Sequence, residues 1–426
     1  MWVIYEVLLV ISLILLLPSA VWRRRLPHAG WSMRLGRYPQ SVTEALHGRP
    51  SLWVHAVSVG EVQAAGPLLP LLRQADPDSP LVLSTITPGG FQMASRLLAN
   101  GGGVPIYFPL DLRGCVTRAL DAIRPRVLLL MESELWPMTI RLAKARGIRI
   151  AVINGRVSLR AFQRYLAIKP LVLGMLHRVD AFLMQSQADA DRILRLGAPA
   201  ERVHVIGNLK WDASLGSRPT PQAVQETAAR LGLNGRELLV VAGSTHRGEE
   251  RLVLDAFRAL RASHPEARLI LAPRHLERVA EVEALVRHAG FTTTRLSQAQ
   301  PAGPWDAGIV DTFGQLASYY SLATIVFIGG SLVPHGGQNP LEAASLGKPI
   351  VLGPFMHNFE AITHQLLAHH AARQLSSGER LAPLLAELVE NPAAAHAMSA
   401  RAQELTERFR GAAQRTLDAL KPLLSQ

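Results

Sequence analysis

From about residue 50 the chain alternates short apolar runs with longer stretches whose apolar residues recur at helical spacing, and few folds tolerate that pattern. Runs at Leu52–Val57, Leu81–Thr85, Val127–Met131, Ile148–Ile153, Ala181–Gln185 and Val203–Ile206 predict strands, with helical stretches such as 61–73 and 187–196 between them. Strands apolar on both faces and joined by helix-length connections form right-handed βαβ units, hence a parallel sheet covered on both sides. At 212–221 the composition changes to DASLGSRPTP, which reads as an exposed linker. A second series follows at Leu238–Ala242, Ala267–Leu271, Gly308–Val310, Ile325–Ile328 and Pro349–Leu352. The prediction is an α/β chain with two doubly wound, Rossmann-like domains facing a cleft. Their expected limits are 30–211 and 236–400, joined by a linker over 212–235 and followed by a C-terminal helix over 401–426.

The N-terminus reads differently. Trp2 to Trp22 holds one charge, Glu6, and Arg23-Arg24-Arg25 follows at once. A helix of that length would span about 30 Å, the thickness of a hydrocarbon core. Because the positive charges follow the apolar run, it reads as a transmembrane signal-anchor over 2–22 rather than a cleaved signal peptide. The expected location is then the inner membrane, single-pass, with the body on the cytoplasmic side.

Net charge is +12, from 45 basic and 33 acidic residues, so an anionic partner is expected. The excess sits in two windows. Residues 1–50 carry six arginines against Glu6 and Glu44. Residues 141–170 carry Arg141, Lys144, Arg146, Arg149, Arg156, Arg160, Arg164 and Lys169 and no acid. With no Cys/His finger, no aromatic RNA-binding signature and no basic tail, nucleic acid is not the expected partner. Ser158–Leu176 reads as a helix with Leu159, Phe162 and Leu166 on one side and Arg160 and Arg164 four apart. It is either a solvated face or a surface meeting anionic lipid. A single cysteine, Cys115, excludes a disulfide framework within the chain.

In doubly wound sheets ligands bind beyond the carboxyl ends of the strands, so the strand-to-helix turns hold the candidates. His55-Ala56-Val57-Ser58-Val59-Gly60-Glu61 leaves the first strand, and Glu61 alone reads as a first-turn acid favoured by the helix dipole. Met131-Glu132-Ser133-Glu134-Leu135-Trp136-Pro137 puts two acids and a Trp at a strand end, with Glu134 also readable as a helix cap. Lys210, in Gly207-Asn208-Leu209-Lys210-Trp211-Asp212, is either an anion holder or a solvated lysine. Gly243-Ser244-Thr245-His246-Arg247-Gly248-Glu249-Glu250 offers a phosphate cradle without a P-loop ending. Ala272-Pro273-Arg274-His275 offers a guanidinium. In Gly329-Gly330-Ser331 and Gly336-Gly337-Gln338-Asn339-Pro340-Leu341-Glu342, Asn339 fits an N-cap, Pro340 the first helical position and Glu342 the third. The glycines before them would expose backbone N–H groups to a nucleotide phosphate. Asp76-Pro77-Asp78 and Asp189-Ala190-Asp191 are formal metal motifs, but neither lies at a strand end.

In this order, HAVSVGE, MESELWP, NGRVS, GNLKWD, GSTHRGEE, PRH, DTFGQL and GGSLVPHGGQNPLEAA resemble the Kdo (3-deoxy-D-manno-octulosonic acid) transferases of lipopolysaccharide assembly. The resemblance runs from about residue 50 to 350. It implies a GT-B fold, CMP-Kdo as donor substrate with no separate cofactor, a lipid A precursor (lipid IVA) as acceptor, and an inverting, metal-independent transfer. It matches Glu61 to a general base, and Glu132 and Lys210 to transition-state stabilisers. Pro273, Arg274, Phe313, Gly314, Gln315, Asn339, Pro340, Leu341 and Glu342 match CMP-binding segments. Gln315 stands where the family usually has Glu. The expected partners are therefore CMP-Kdo, the lipid A precursor and an anionic membrane surface. The alternatives are a related GT-B enzyme using another nucleotide sugar, or a non-catalytic lipid-binding scaffold.

Overall fold

A computed structural model describes residues 5–12, 14–15, 30–99, 101–216, 218–235, 237–298 and 304–425. The chain divides into two compact units, one of residues up to Ala213 together with Gly411–Gln426, the other Ser214–Arg410. A boundary at 211/212 and a separate helix over 401–426 were expected instead. The difference lies in the last helix, Ala412–Leu424, whose Leu417, Leu420 and Leu424 join the core of the first unit. Asp212 fixes its start by accepting hydrogen bonds from the Gly411 and Ala413 N–H groups (2.6 and 2.7 Å). Within the expected linker lie the end of a helix over Leu209–Gly216 and another over Pro221–Leu231, the latter started by Thr220 and ended by left-handed Gly232.

The first unit holds a seven-stranded, all-parallel sheet of β1 (Ser51–His55), β2 (Leu81–Thr85), β3 (Val104–Tyr107), β4 (Pro125–Met131), β5 (Arg149–Gly155), β6 (Ala181–Met184) and β7 (Val203–Val205). Its order is β3-β2-β1-β4-β5-β6-β7. The second unit repeats the plan with β8 (Leu239–Thr245), β9 (Arg268–Pro273), β10 (Thr293–Arg295), β11 (Ala307–Ile309), β12 (Ile325–Ile328), β13 (Ile350–Leu352) and β14 (Arg373–Gln374), in the order β10-β11-β9-β8-β12-β13-β14. Three strands had no apolar run to announce them. β3 begins Val-Pro, β10 is Thr-Thr-Arg, and β14 is two exposed polar residues at a sheet edge. Central strands are buried throughout: Trp53 packs with Phe108, and Val240, Leu271 and Phe327 fill the second core.

Both sheets reverse their winding beside their first strand, between β1 and β4 and between β8 and β12. Ligands bind at such switch points, where the helices leaving neighbouring strands diverge onto opposite faces.

The membrane-spanning expectation is corrected here. Among the described residues no helix is long and apolar enough to cross a membrane. The single-pass, inner-membrane location that rested on such a span falls with it. Of the run 2–22, residues 2–4, 13 and 16–22 lie outside the described residues, as do the three arginines after it. The described part is tied to the first unit. The Tyr5 hydroxyl donates to Asp111 Oδ2 (2.8 Å), and Glu6 accepts from the Arg113 N–H (2.8 Å).

The single helix expected over Ser158–Leu176 is two, Leu159–Ala167 and Lys169–Leu176, broken at Ile168. Pro170 is the cause, since it offers no N–H to the carbonyl four residues back. Phe162 is buried, whereas Leu159, Leu166 and Ile168 are exposed beside Arg160 and Arg164.

Candidate active site

At the switch point of the first sheet, Glu61 follows β1 and Glu132 follows β4. Ser58 starts the helix Val59–Ala65, accepting from the Glu61 N–H. The Glu61 carboxylate reaches back to the Val57 N–H (2.9 Å) and the Ser58 hydroxyl (3.0 Å). This is the reciprocal capping arrangement, so Glu61 does occupy the first-turn position that the sequence suggests. Its acidity is not that of an ordinary cap. Burial and the neighbouring Glu132 push its pKa up to about 7, against the opposing pull of its two hydrogen bonds and Lys210.

Glu132 adopts a left-handed backbone (φ 53°), rare for a residue with a Cβ, while its N–H still donates to the Ile153 carbonyl of β5. This bend turns the chain at the strand end, and the Glu132 carboxylate pairs with Lys210 Nζ at 2.7 Å. Glu134 completes the group, its pKa likewise raised to about 7 by burial and by Glu61 and Glu132. It does not cap the next helix. Buried Asp111 does so, accepting from the Met138 and Thr139 N–H groups and the Thr139 hydroxyl.

Lys210 is held by residues to which the motifs gave no role. Asn154, the penultimate residue of β5, is buried and also left-handed (φ 50°). Its side-chain oxygen accepts from the Leu209 N–H (2.9 Å), and its carbonyl accepts from Gln185 (2.9 Å). Gln185 in turn accepts from Asn208, whose other side-chain atom receives the Lys210 N–H (3.0 Å). In the sequence, Asn154 and Asn208 show only as members of the NGRVS and GNLKWD segments. His55, in the same turn as Glu61, plays no exposed part. Burial drives its pKa down to about 3, and it lies stacked on Phe108 at 3.7 Å.

In the second unit the CMP-matched segments all fall at the carboxyl ends of β9, β11 and β12. Pro273 ends β9 and is buried; Arg274 after it is exposed. Phe313 is 64% exposed, beside left-handed Gly314 (φ 86°). Gln315 accepts from the Tyr319 hydroxyl at 2.7 Å and the Arg230 guanidinium at 3.4 Å, so the amide answers the partners a carboxylate would have. The helix after Asn339 starts one residue later than predicted, at Leu341. Asn339 Oδ1 accepts the Leu341 N–H (3.1 Å), Pro340 precedes the helix, and Leu341 is buried. Burial raises the pKa of Glu342.

The phosphate cradle predicted at 243–250 and 329–331 is filled from within. Buried Glu249 accepts the N–H groups of His246 (2.8 Å), Gly330 (2.6 Å), Ser331 (2.9 Å) and Leu332 (2.8 Å). The glycines permit close packing rather than ligand approach: a Cβ on Gly329 would lie 2.5 Å from the Ser244 carbonyl oxygen. Among the described residues no group of three or more His, Cys, Asp or Glu side chains is placed to hold a metal ion. Asp189 binds the Val157 N–H, and Asp76 pairs with Arg126.

Two parallel Rossmann-like sheets, each with polar side chains gathered at its switch point, define the GT-B class of nucleotide-sugar enzymes. The fold agrees with that of UDP-GlcNAc 2-epimerase from Neisseria meningitidis, solved bound to UDP-GlcNAc, at TM-score 0.58 and 14% identity over 88% of this chain and 100% of that one. Residues 29–213 match the family described as 3-deoxy-D-manno-octulosonic-acid transferase (kdotransferase). The chain is 32% identical to the 3-deoxy-D-manno-octulosonic acid transferase of Haemophilus influenzae, over 93% of this chain and 94% of that relative. It is 32% identical to the transferase of that name from Bordetella pertussis, over 95% of both. The chain belongs to the Kdo transferase family and is a glycosyltransferase.

Proposed function

We propose that Glu61 is the base of the Kdo transfer. The reaction carries Kdo from CMP-Kdo to the lipid A precursor lipid IVA. An acceptor hydroxyl must lose its proton as it attacks the anomeric carbon, and CMP leaves from the opposite face, so configuration inverts. A base works best with a pKa near the operating pH. The observation that carries the reading is the Glu61 carboxylate, fixed by two hydrogen bonds at a strand end with its pKa raised to about 7. The Lys210–Glu132 pair stands beside it, and in this reading Lys210 stabilises negative charge that develops as the bond to CMP breaks. CMP departs already ionised, so it needs cations and N–H donors rather than an acid. Arg274 and the segments 313–315 and 339–342 are assigned to it.

The helix Leu159–Ala167 is assigned to the acceptor's surroundings. Exposed Leu159 and Leu166 with Arg160 and Arg164 suit an anionic surface presenting a phosphorylated lipid. Tyr165 of the same helix donates to the Ser133 carbonyl (3.0 Å), next to both turn carboxylates.

Glu61→Gln tests the base. Transfer should fall about 10²–10⁴-fold, with CMP affinity unchanged by calorimetry. In the parent enzyme, kcat should rise with pH through about 7 as Glu61 ionises. Retained turnover in the variant removes Glu61 from the role.

A further inference from the structure

Three imidazoles meet, one after each of β8, β9 and β12. His246 is stacked on His335 with ring centroids 4.3 Å apart, and His275 stands edge-on to it at 5.7 Å. Gln338 Nε2 lies 3.1 Å from His246 Nε2. Arg274 follows β9, is exposed, and forms no ion pair among the described residues.

The acids nearby are engaged elsewhere. Glu249 is saturated by four backbone N–H groups. Glu250 is held by Arg278 (2.7 Å) and the Thr245 hydroxyl (3.0 Å). Glu281 is shared by Arg278 and Arg247. Exposed Glu277 lies 3.4 Å from His275 Nδ1. A cluster of imidazoles and a guanidinium whose buried carboxylates are engaged elsewhere is built to receive an anion from outside. The donor brings two: the phosphodiester, and the carboxylate that makes its sugar an acid.

We infer that the His246–His335 pair, steadied by Gln338, binds the carboxylate of the transferred acid sugar, leaving Arg274 for the phosphate. The assignment rests on the second unit being the donor-binding one, as proposed above. It gives the enzyme a way to select an acidic sugar that nucleotide contacts alone cannot provide, because every CMP-linked sugar presents the same nucleotide. The resting charge state fits. Burial, then His335, His275, Arg274 and Arg278, lower the pKa of His246 to about 4, so it is neutral until a carboxylate arrives. An arriving anion favours the imidazolium, and binding should therefore draw in a proton.

The test compares two ligands on the full chain. CMP and CMP-Kdo are titrated into the parent, His246→Gln and His335→Gln between pH 5.5 and 8. The expected result is CMP affinity within twofold of the parent in both variants, which also certifies folding, with CMP-Kdo affinity at least tenfold weaker. In the parent, CMP-Kdo should bind more tightly as pH falls, and that slope should flatten in His246→Gln. Equal losses for CMP and CMP-Kdo would move the pair to the phosphate and overturn the carboxylate assignment. Unchanged CMP-Kdo affinity in both variants would overturn it outright. Failure of the parent to bind CMP would instead remove the donor-domain reading, and this inference with it.

Discussion

The two units share a topology and use their switch points oppositely. In the first, carboxylates are left crowded: Glu61 and Glu134 have pKa values near 7, and one lysine, Lys210, pairs with Glu132 among them. In the second, carboxylates are buried against backbone amides and arginines, and the groups left over are imidazoles and a guanidinium. In the reading proposed above, one fold presents a proton acceptor in one copy and an anion receptor in the other. The choice is made by which side chains the turns satisfy internally. Glu249 is held by four backbone amides, whereas Glu61 has one amide and one hydroxyl and a second carboxylate beside it.

That contrast breaks if acids in the two units behave alike. The largest expected effect is from Glu249→Ala, which orphans four N–H groups, each costing about 1–3 kcal/mol. The second unit should unfold several degrees earlier by calorimetry; an unchanged transition would contradict a structural role. Glu134→Gln should do the reverse. Its raised pKa means that, as pH climbs past the ordinary carboxylate range, the unfolded chain ionises first. Stability is therefore full at low pH and lost up to about pH 7. At pH 8 the variant should melt higher, on the scale of ~2–4 °C per kcal/mol recovered, with no gain near pH 4. A variant that melts lower at pH 8 would show the acid to be structural. The smallest effect concerns the surface. Reversing charge at Arg160 and Arg164 together should weaken use of lipid-embedded acceptor a few-fold, by KM, with CMP affinity intact. Equal use of the embedded acceptor would detach that helix from the acceptor.

Much of this was legible because period and turn position are local properties. Alternating apolar runs announced eleven strands and the repeated plan, whereas Glu61 read locally as a first-turn acid and was singled out, with Glu132 and Lys210, by the family resemblance. The N-terminal run shows the limit of the same reasoning. Hydropathy predicts a span, yet Tyr5 and Glu6 have polar partners at Asp111 and Arg113, more than a hundred residues away. Strands β3, β10 and β14 escaped because edge positions need no apolar run. The parts played by Asn154 and Glu249 escaped because their partners, Leu209 and Gly330 to Leu332, are distant in sequence.

The net charge of +12 shows the division most clearly. Sequence located the excess in two windows, and nothing in the structure alters that count. Structure decided its availability. In the second window Lys144 pairs with Asp180 and Arg146 with Asp121, both from outside the window. Arg160 and Arg164 remain at the surface. Sequence by itself determined the paired Rossmann-like plan and the turns where chemistry belongs, since both follow from periodicity and chain order. Only tertiary structure decided which carboxylate is saturated by amides and which is left beside other acids. Those differences are differences of burial and of long-range hydrogen bonding.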